Sequence, residues 1–510
     1  MNKKVLIAGA MVSMLLLAAC GQTEKDEALT QTSGQSTAPI ANKKEQQMIM
    51  DIIAKESRLE MKPGLMLPVW TYGGSVPGQE IRVKQGQEVI VKLKNELTEN
   101  VTIHWHGYPV PSEMDGVPGM SQNSIKPGES FTYRFKATVP GTYWYHSHKD
   151  SAAQVDKGLY GALIVEGEDE EKTARDYTLV LDEWETNTAN QGHSMNGMDH
   201  ANMENMNKHA ADNHTSPMNK MSMDHMSSYD LFTVNGKSGA LIEPLAAQTG
   251  ETVRLRLINA GYQLRLFDFG DVPYRVVSTD GQKIQQPSEV KGKALPIGPG
   301  ERYDVIFTTP SSSFEILDRT QREAAKDVKV VVQNQENKKV TPSGKAAAEL
   351  FDIANYGKAT APTQSGGPKY DRQFHMVFED IMDPRSDMGM KYTINGKSFP
   401  DTEKLTVKKG EYVKVTYENK GDANHPMHLH GHFVKVLSKN GKPVSGSPIS
   451  KDTLNVKPGE KYEIEFVADN PGNWMFHCHD LHHASTGMAT TVEYEGYKNP
   501  VKLNGNEQGE

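Results

Sequence analysis

Two cysteines in 510 residues are too few for a disulfide scaffold, which leaves packing, with bound metal as the other candidate, to stabilise a chain of this size. An excess of positive charge is also missing, since 56 Lys and Arg stand against 65 Asp and Glu for a net charge of −9. That balance excludes a nucleic-acid binder held by bulk electrostatics. Long apolar runs are confined to the N-terminus, and helical periodicity is scarce everywhere else. Hydrophobic residues at 36% and charged residues at 24% suit folded domains, while the negative mean hydropathy points to polar tails or inserts that dilute their cores. At roughly 150 residues per domain the length predicts about three of them.

What is present is a threefold internal repeat. Segments 86–93, 250–257 and 410–417 each follow a glycine turn with period-two alternation, the pattern of a half-buried strand, and each runs into an asparagine-containing turn. Further on, Lys126-Pro-Gly-Glu129, Gly298-Pro-Gly-Glu301 and Lys457-Pro-Gly-Glu460 each precede a second alternating strand. Short strands at such turn spacing predict β-sandwiches. The repeat places one domain over 60–170, a second over 171–360 and a third over 370–497, with the Gly/Pro/Thr-rich 357–369 as a linker.

The histidines gather in four compact groups: His104 and His106; His146 and His148; His425, His428 and His430; His477, His479, His482 and His483. All four groups fall in the first and third domains, at matching places in the repeat, where the second domain has Leu264 to Asp268 instead. On a strand, residues i and i+2 point to one face, so each His-x-His pair can serve one metal cluster. Neutral imidazole suits copper, zinc, iron and nickel. Cys478 lies between His477 and His479, so its sulfur is expected on the opposite face, giving two metal sites joined by a few covalent bonds. A thiolate with two histidines and a weak methionine is the ligand set of a blue copper centre, and His425, Cys478, His483 and Met488 can supply it. A closed zinc site would leave most of the other imidazoles without a role.

The N-terminus resembles a bacterial lipoprotein signal peptide: Lys3 and Lys4 precede an uncharged stretch from Val5 to Ala19, which ends in Leu17-Ala18-Ala19-Cys20. Residues 1–20 then form a lipoprotein signal peptide with its lipobox at Cys20, and the resemblance implies export, cleavage that leaves Cys20 as the first residue of the mature chain, lipidation of Cys20 and anchoring at the extracytoplasmic face of the bacterial cell membrane. Residues 21–59 read as a flexible tether, most polar up to about residue 45.

In the order and spacing of its four histidine motifs the chain resembles the multicopper oxidases, the three-cupredoxin family of laccases and bacterial copper-resistance oxidases. The resemblance implies an all-β fold of three tandem cupredoxin-like Greek-key β-sandwich domains and four copper ions: one type 1, one type 2 and two type 3. By motif, type 1 copper falls to His425, Cys478 and His483, with Met488 axial. Type 2 copper falls to His104 and His428, and the type 3 pair to His106, His146, His148, His430, His477 and His479. His375 and His432 lie outside the family pattern and read as structural or surface. The implied reaction is one-electron oxidation of a reductant at type 1, transfer through Cys478 to His477 and His479, and four-electron reduction of O2 to water. Asp115 matches the acidic residue that relays protons to the cluster. Where several bacterial members carry a second carboxylate, this chain has His482, so imidazole takes that place.

Between Trp184 and Tyr229 lies a stretch, centred on 190–228, with eight methionines and five histidines, among them Met195, Met198, His200, Met206, Met221, Met223 and His225. Its other residues, mostly Asn, Asp, Ser and Gly, cannot build a core. Thioethers select Cu(I), and the stretch resembles the Met-rich inserts of copper-resistance oxidases. It favours Cu(I) as the reductant over a small aromatic such as a phenol. The competing functions are a laccase-type phenol oxidase, a copper-sequestering lipoprotein with incidental oxidase activity, and a copper nitrite reductase, which has no need of four paired histidine groups.

Overall fold

The computed structural model describes residues 46–186, 229–341, 347, 349–359, 369–384 and 389–504. Cys20, the N-terminal segment as far as residue 45 and the Met/His-rich 190–228 lie outside the described residues. Among the described residues, six sheets are paired as three sandwiches. In each, the first strand pairs antiparallel with its hairpin partner and parallel with a later strand: Gln47–Lys62 with Leu65–Tyr72 and Glu88–Asn95, Arg175–Trp184 with Leu231–Val234 and Thr252–Asn259, and Arg372–Met382 with Met390–Ile394 and Tyr412–Asn419.

The second sheet of each sandwich is also wired alike. Its neighbours run Gly78–Lys84, Tyr160–Glu166, Gly141–His146, His104–His106 in the first, and Leu405–Val407, Ala489–Tyr494, Asn473–Cys478, His425–Leu429 in the third. Successive strands therefore cross between the two sheets, the Greek-key connection. Alternation explains why each strand buries one face. Along Tyr412–Asn419 every second residue from Val413 onward is buried, and Val413, Val415 and Tyr417 join the third core with Trp474 and Phe476.

The repeated phrases have a physical cause. In each Pro-Gly-Glu turn the glycine adopts a left-handed φ, +82° at Gly128, +76° at Gly300 and +75° at Gly459, which a side chain would resist. The glutamate N–H of each closes the turn on the carbonyl three residues back, and its carboxylate accepts the N–H of that same residue. Asn95, Asn259 and Asn419 likewise each donate two side-chain hydrogen bonds to backbone carbonyls, pinning the loop that follows. Such buried amides satisfy backbone groups that no strand ladder reaches.

One boundary differs from the sequence reading. Residues 47–59, expected in the tether, form most of the first strand, Gln47–Lys62, so the first sandwich begins before residue 60. Only Ile52, Ala54 and Met61 of that strand are buried, and its charged alternation reads as solvated chain until its partners Glu88–Asn95 and Leu65–Tyr72 are known.

Candidate metal centres

Antiparallel register brings the histidine pairs face to face. His104 lies opposite His146 in the first sandwich, and His428 opposite His477 in the third. Where the two sandwiches meet, the imidazoles interleave: His104 stacks on His430 with ring centres 3.9 Å apart, and His106 on His428 at 3.8 Å. His148, His430 and His477 place their nitrogens within 4.8 Å of one another. The rings of His106, His146 and His479 form a second trio at 4.6 to 5.7 Å. His104 and His428 remain as a pair, 5.8 Å apart. Other trios overlap these, His104 with His428 and His430 and His104 with His106 and His146, so the eight imidazoles form one continuous group.

The donor set fits metal. Nε2 of His104, Nδ1 of His106, Nε2 of His146, Nε2 of His428 and both nitrogens of His479 are buried with no hydrogen-bond partner. Leaving so many polar atoms unpaired in a core costs free energy that a metal ion in their midst would return. Burial first, and neighbouring imidazoles second, push the rings of His106, His146, His430, His477 and His479 well below the ordinary histidine range. All five are therefore neutral and carry a lone pair for a cation.

Alternation turns Cys478 to the other side of its strand. Its Sγ lies 3.8 Å from Nδ1 of His425 and 3.6 Å from Nδ1 of His483, and all three residues are buried. The far nitrogens meet carboxylates: Nε2 of His425 lies 2.9 Å from Asp380, and Nε2 of His483 lies 3.3 Å from Asp480. Such partners hold the proton on Nε2 and aim the Nδ1 lone pair at the sulfur side. Burial alone would raise the Asp380 carboxyl, but His425 and the N–H groups of Ala423 and Asp422 outweigh it and hold it below the usual range. Tyr392 stacks on His483 at 3.8 Å. Met488 is buried in the same core, and its carbonyl accepts the Cys478 N–H at 3.0 Å.

Asp115 is buried at the eight-imidazole group, with Oδ2 2.9 Å from Nδ1 of His430 and Oδ1 3.2 Å from Nδ1 of His104. His482 is instead half-buried against the second sandwich, with its ring 4.8 Å from that of Tyr262 and Nε2 2.8 Å from the Tyr229 hydroxyl. His375 is an exposed partner of Glu418. His432 is buried, with Nδ1 donating to the His430 carbonyl and Nε2 meeting the Tyr494 hydroxyl.

Sequence reasoning missed the second layer. Asp452 reaches both His106 and His428, and Arg302 of the second sandwich grips its carboxylate with Nη1 at 2.7 Å and Nη2 at 2.5 Å. Burial would raise this carboxyl too, yet Arg302 and His428 hold it well below the carboxylate range. Gly300, in the second sandwich's Pro-Gly turn, packs so closely that a Cβ there would lie 2.8 Å from His479. The second sandwich therefore shapes the site through its turn. The repeat could have located that turn, but nothing local to it marks a metal site.

The family models for multicopper oxidases match residues 54–170, 175–337 and 371–496, one in each sandwich. Copper resistance protein A of Escherichia coli is 26% identical, over 83% of this chain and 89% of its own. Laccase-2 of Botryotinia fuckeliana is 30% identical, over 82% and 77%. A crystal structure of a multi-copper oxidase from Pseudomonas thermotolerans matches with a TM-score of 0.64 at 29% identity, covering 88% of this chain and 99% of that one. With three sandwiches of one wiring and matches along most of its length, the chain belongs to the multicopper oxidase family. It is an oxidoreductase of cupredoxin-like domains that uses copper and takes O2 as acceptor.

Proposed function

We propose that the physiological reductant is Cu(I), oxidised to Cu(II) in copper detoxification. The observation that carries this reading is the end of the core-facing side of the hairpin made by Arg372–Met382 and Met390–Ile394, where that side runs out to the surface. Asp380 lies opposite Tyr392, and Met382 opposite Met390. Alternate residues share a face, so both methionines continue the face whose Asp380 and Tyr392 touch His425 and His483. One ladder step separates the thioethers from those contacts, about 7 Å along the strand. Met382 is 76% exposed. Soft sulfur at the surface leading to a carboxylate on a type 1 ligand suits a cuprous substrate.

The Met/His-rich 190–228 supports the same reading by composition. In the proposed inventory, His425, Cys478, His483 and Met488 hold one type 1 copper, His104 and His428 one type 2, and the remaining six histidines two type 3. Copper so bound supplies one-electron acceptance at the first centre and four-electron reduction of O2 at the cluster. The balance is four Cu(I) oxidised for each O2, with four protons taken up and two waters released. Asp115, touching both His104 and His430, is placed to pass those protons. Export and lipid anchoring through Cys20 belong to the proposal on the strength of the Leu17 to Cys20 motif.

The test is oxygen uptake by copper-loaded protein lacking residues 1–20. The intact chain is expected to consume oxygen with Cu(I), Cys478→Ser to consume none, and a 190–228 deletion or a Met382→Leu, Met390→Leu pair to lose Cu(I) turnover while keeping that with a phenol. Uptake with phenols alone would make the enzyme laccase-type. Copper binding without uptake would make it a sequestering protein.

A further inference from the structure

The contacts around Thr453 fix more than position. Its hydroxyl lies 2.8 Å from Oδ1 of Asp452, 3.0 Å from Nε2 of His106 and 3.1 Å from Nδ1 of His428. The carboxylate is a pure acceptor, so the one hydroxyl proton goes to Asp452. Towards both imidazoles Thr453 can then only accept. Every other polar atom at these two nitrogens is an acceptor as well: Oδ1 of Asp452 lies 3.2 Å from Nε2 of His106 and 3.4 Å from Nδ1 of His428, and the Asp452 carbonyl lies 3.1 Å from Nδ1 of His428. Both nitrogens must carry the proton. The opposite nitrogens, Nδ1 of His106 and Nε2 of His428, are the ones left buried and without a hydrogen-bond partner.

We propose that Thr453 and Asp452, held by Arg302, are positioning residues that lock the tautomers of His106 and His428, so that Nδ1 of the first and Nε2 of the second present lone pairs to the metal cluster. Asp452 lies within ligand distance of both histidines, but Arg302 occupies both its oxygens, which makes it an orienter and not a third donor. Besides Asp452 of the third sandwich, Arg302 is fixed from the first and second: Nε donates to the Thr142 carbonyl at 3.2 Å, Nη1 to the Gly300 carbonyl at 3.0 Å, and Asp280 accepts its backbone N–H at 2.9 Å. Lys451, next to Asp452, lies 3.2 Å from Asp280 and from Glu301, closing a buried ionic ring against the cluster. Gly107 makes room for the clamp, since a Cβ there would lie 2.2 Å from Oδ2 of Asp452 and 2.4 Å from Nη2 of Arg302. One hydroxyl thus orients two ligands that the motifs assign to different coppers.

This inference rests on the eight-histidine group being the copper cluster. The test compares Thr453→Val, which keeps the shape and removes the hydroxyl, with Thr453→Ser, which keeps the hydroxyl and removes a methyl. Readouts on the full copper-loaded protein are copper per chain, the type 2 electron paramagnetic resonance signal under chelator competition, and the type 1 visible absorption. The valine variant is expected to hold type 2 copper roughly 10- to 100-fold more weakly, with type 1 absorption unchanged, and the serine variant to match the parent. Equal retention by valine and parent, or equal loss by valine and serine, overturns the lock. Should the valine variant fail to fold, Asp452→Asn takes its place: its amide can donate to an imidazole nitrogen and favour the opposite tautomer, so the same loss is expected and parental retention overturns the proposal. A parent protein with copper at the type 1 site and none at the cluster would refute the cluster assignment itself.

Discussion

The hydroxyl of Tyr229 lies 2.8 Å from Nε2 of His482 and 2.9 Å from each carboxylate oxygen of Asp156. Three sandwiches meet at that phenol, which follows the end of the Met/His-rich insert in sequence and touches the residue before His483, a proposed copper ligand. Thr186 and Asp230, on either side of the insert in sequence, join through two hydrogen bonds, at 2.8 and 2.6 Å. Tyr229→Phe removes the bridge and nothing else, so it is expected to lower stability by about 1 kcal/mol. Type 1 absorption should persist, because Asp480, Tyr392 and Cys478 hold the His483 ring independently. Thermal melts beside visible spectra check both halves.

Under the proposed roles, Asp115 separates proton delivery from electron entry. Its carboxylate touches His104 and His430, whereas the proposed entry point for electrons, Cys478, lies on the far face of another strand. Asp115→Asn keeps the shape and loses the base, and the reduction of O2 is expected to slow by roughly 10²- to 10⁴-fold. Anaerobic bleaching of the type 1 absorption by a reductant should keep its rate. Stopped-flow traces with and without oxygen distinguish the two, and equal slowing of both would make Asp115 a structural residue.

Asp380 should tune the type 1 centre. A carboxylate at Nε2 of His425 strengthens that imidazole as a donor and so favours the oxidised metal. Asp380→Asn is therefore expected to raise the type 1 potential with the blue absorption retained, which a spectroelectrochemical titration reads. A lowered potential would contradict the proposed direction.

Much of this was legible in the chain because it is periodic. Strand alternation, the Pro-Gly-Glu turns and the His-x-His pairs are local patterns, and their side-chain directions follow from a period of two. The same logic separates Cys478 from its flanking histidines. Asp452, Arg302 and Asp380 were not legible, because each acts through a partner far away in sequence: 150 residues part Arg302 from Asp452, and 45 part Asp380 from His425. An isolated aspartate before threonine, or an arginine opening a strand, has no local signature of its use. The first strand was hidden for a related reason, since its burial depends on partners that follow it.

The acid pair Asp182 and Glu183 supplies a pH test of the second sandwich. Glu183 is fully buried, and burial pushes its carboxyl up to about 7 against the opposing pull of Arg265 and of the N–H groups of Tyr262 and Gln263. Asp182 is raised as well, by burial first and by Glu183 next. A carboxyl raised in the fold keeps its proton where the unfolded chain has released it. Its stabilising contribution is therefore complete below the ordinary glutamate range and is lost as pH climbs towards 7, at up to about 1.4 kcal/mol per pH unit for one group. Glu183→Gln keeps an oxygen for the two backbone donors and removes the titration. The melting temperature of the parent should fall relative to that of the variant between pH 5 and pH 7, and parallel curves over that window would mean that Glu183 is already ionised in the fold.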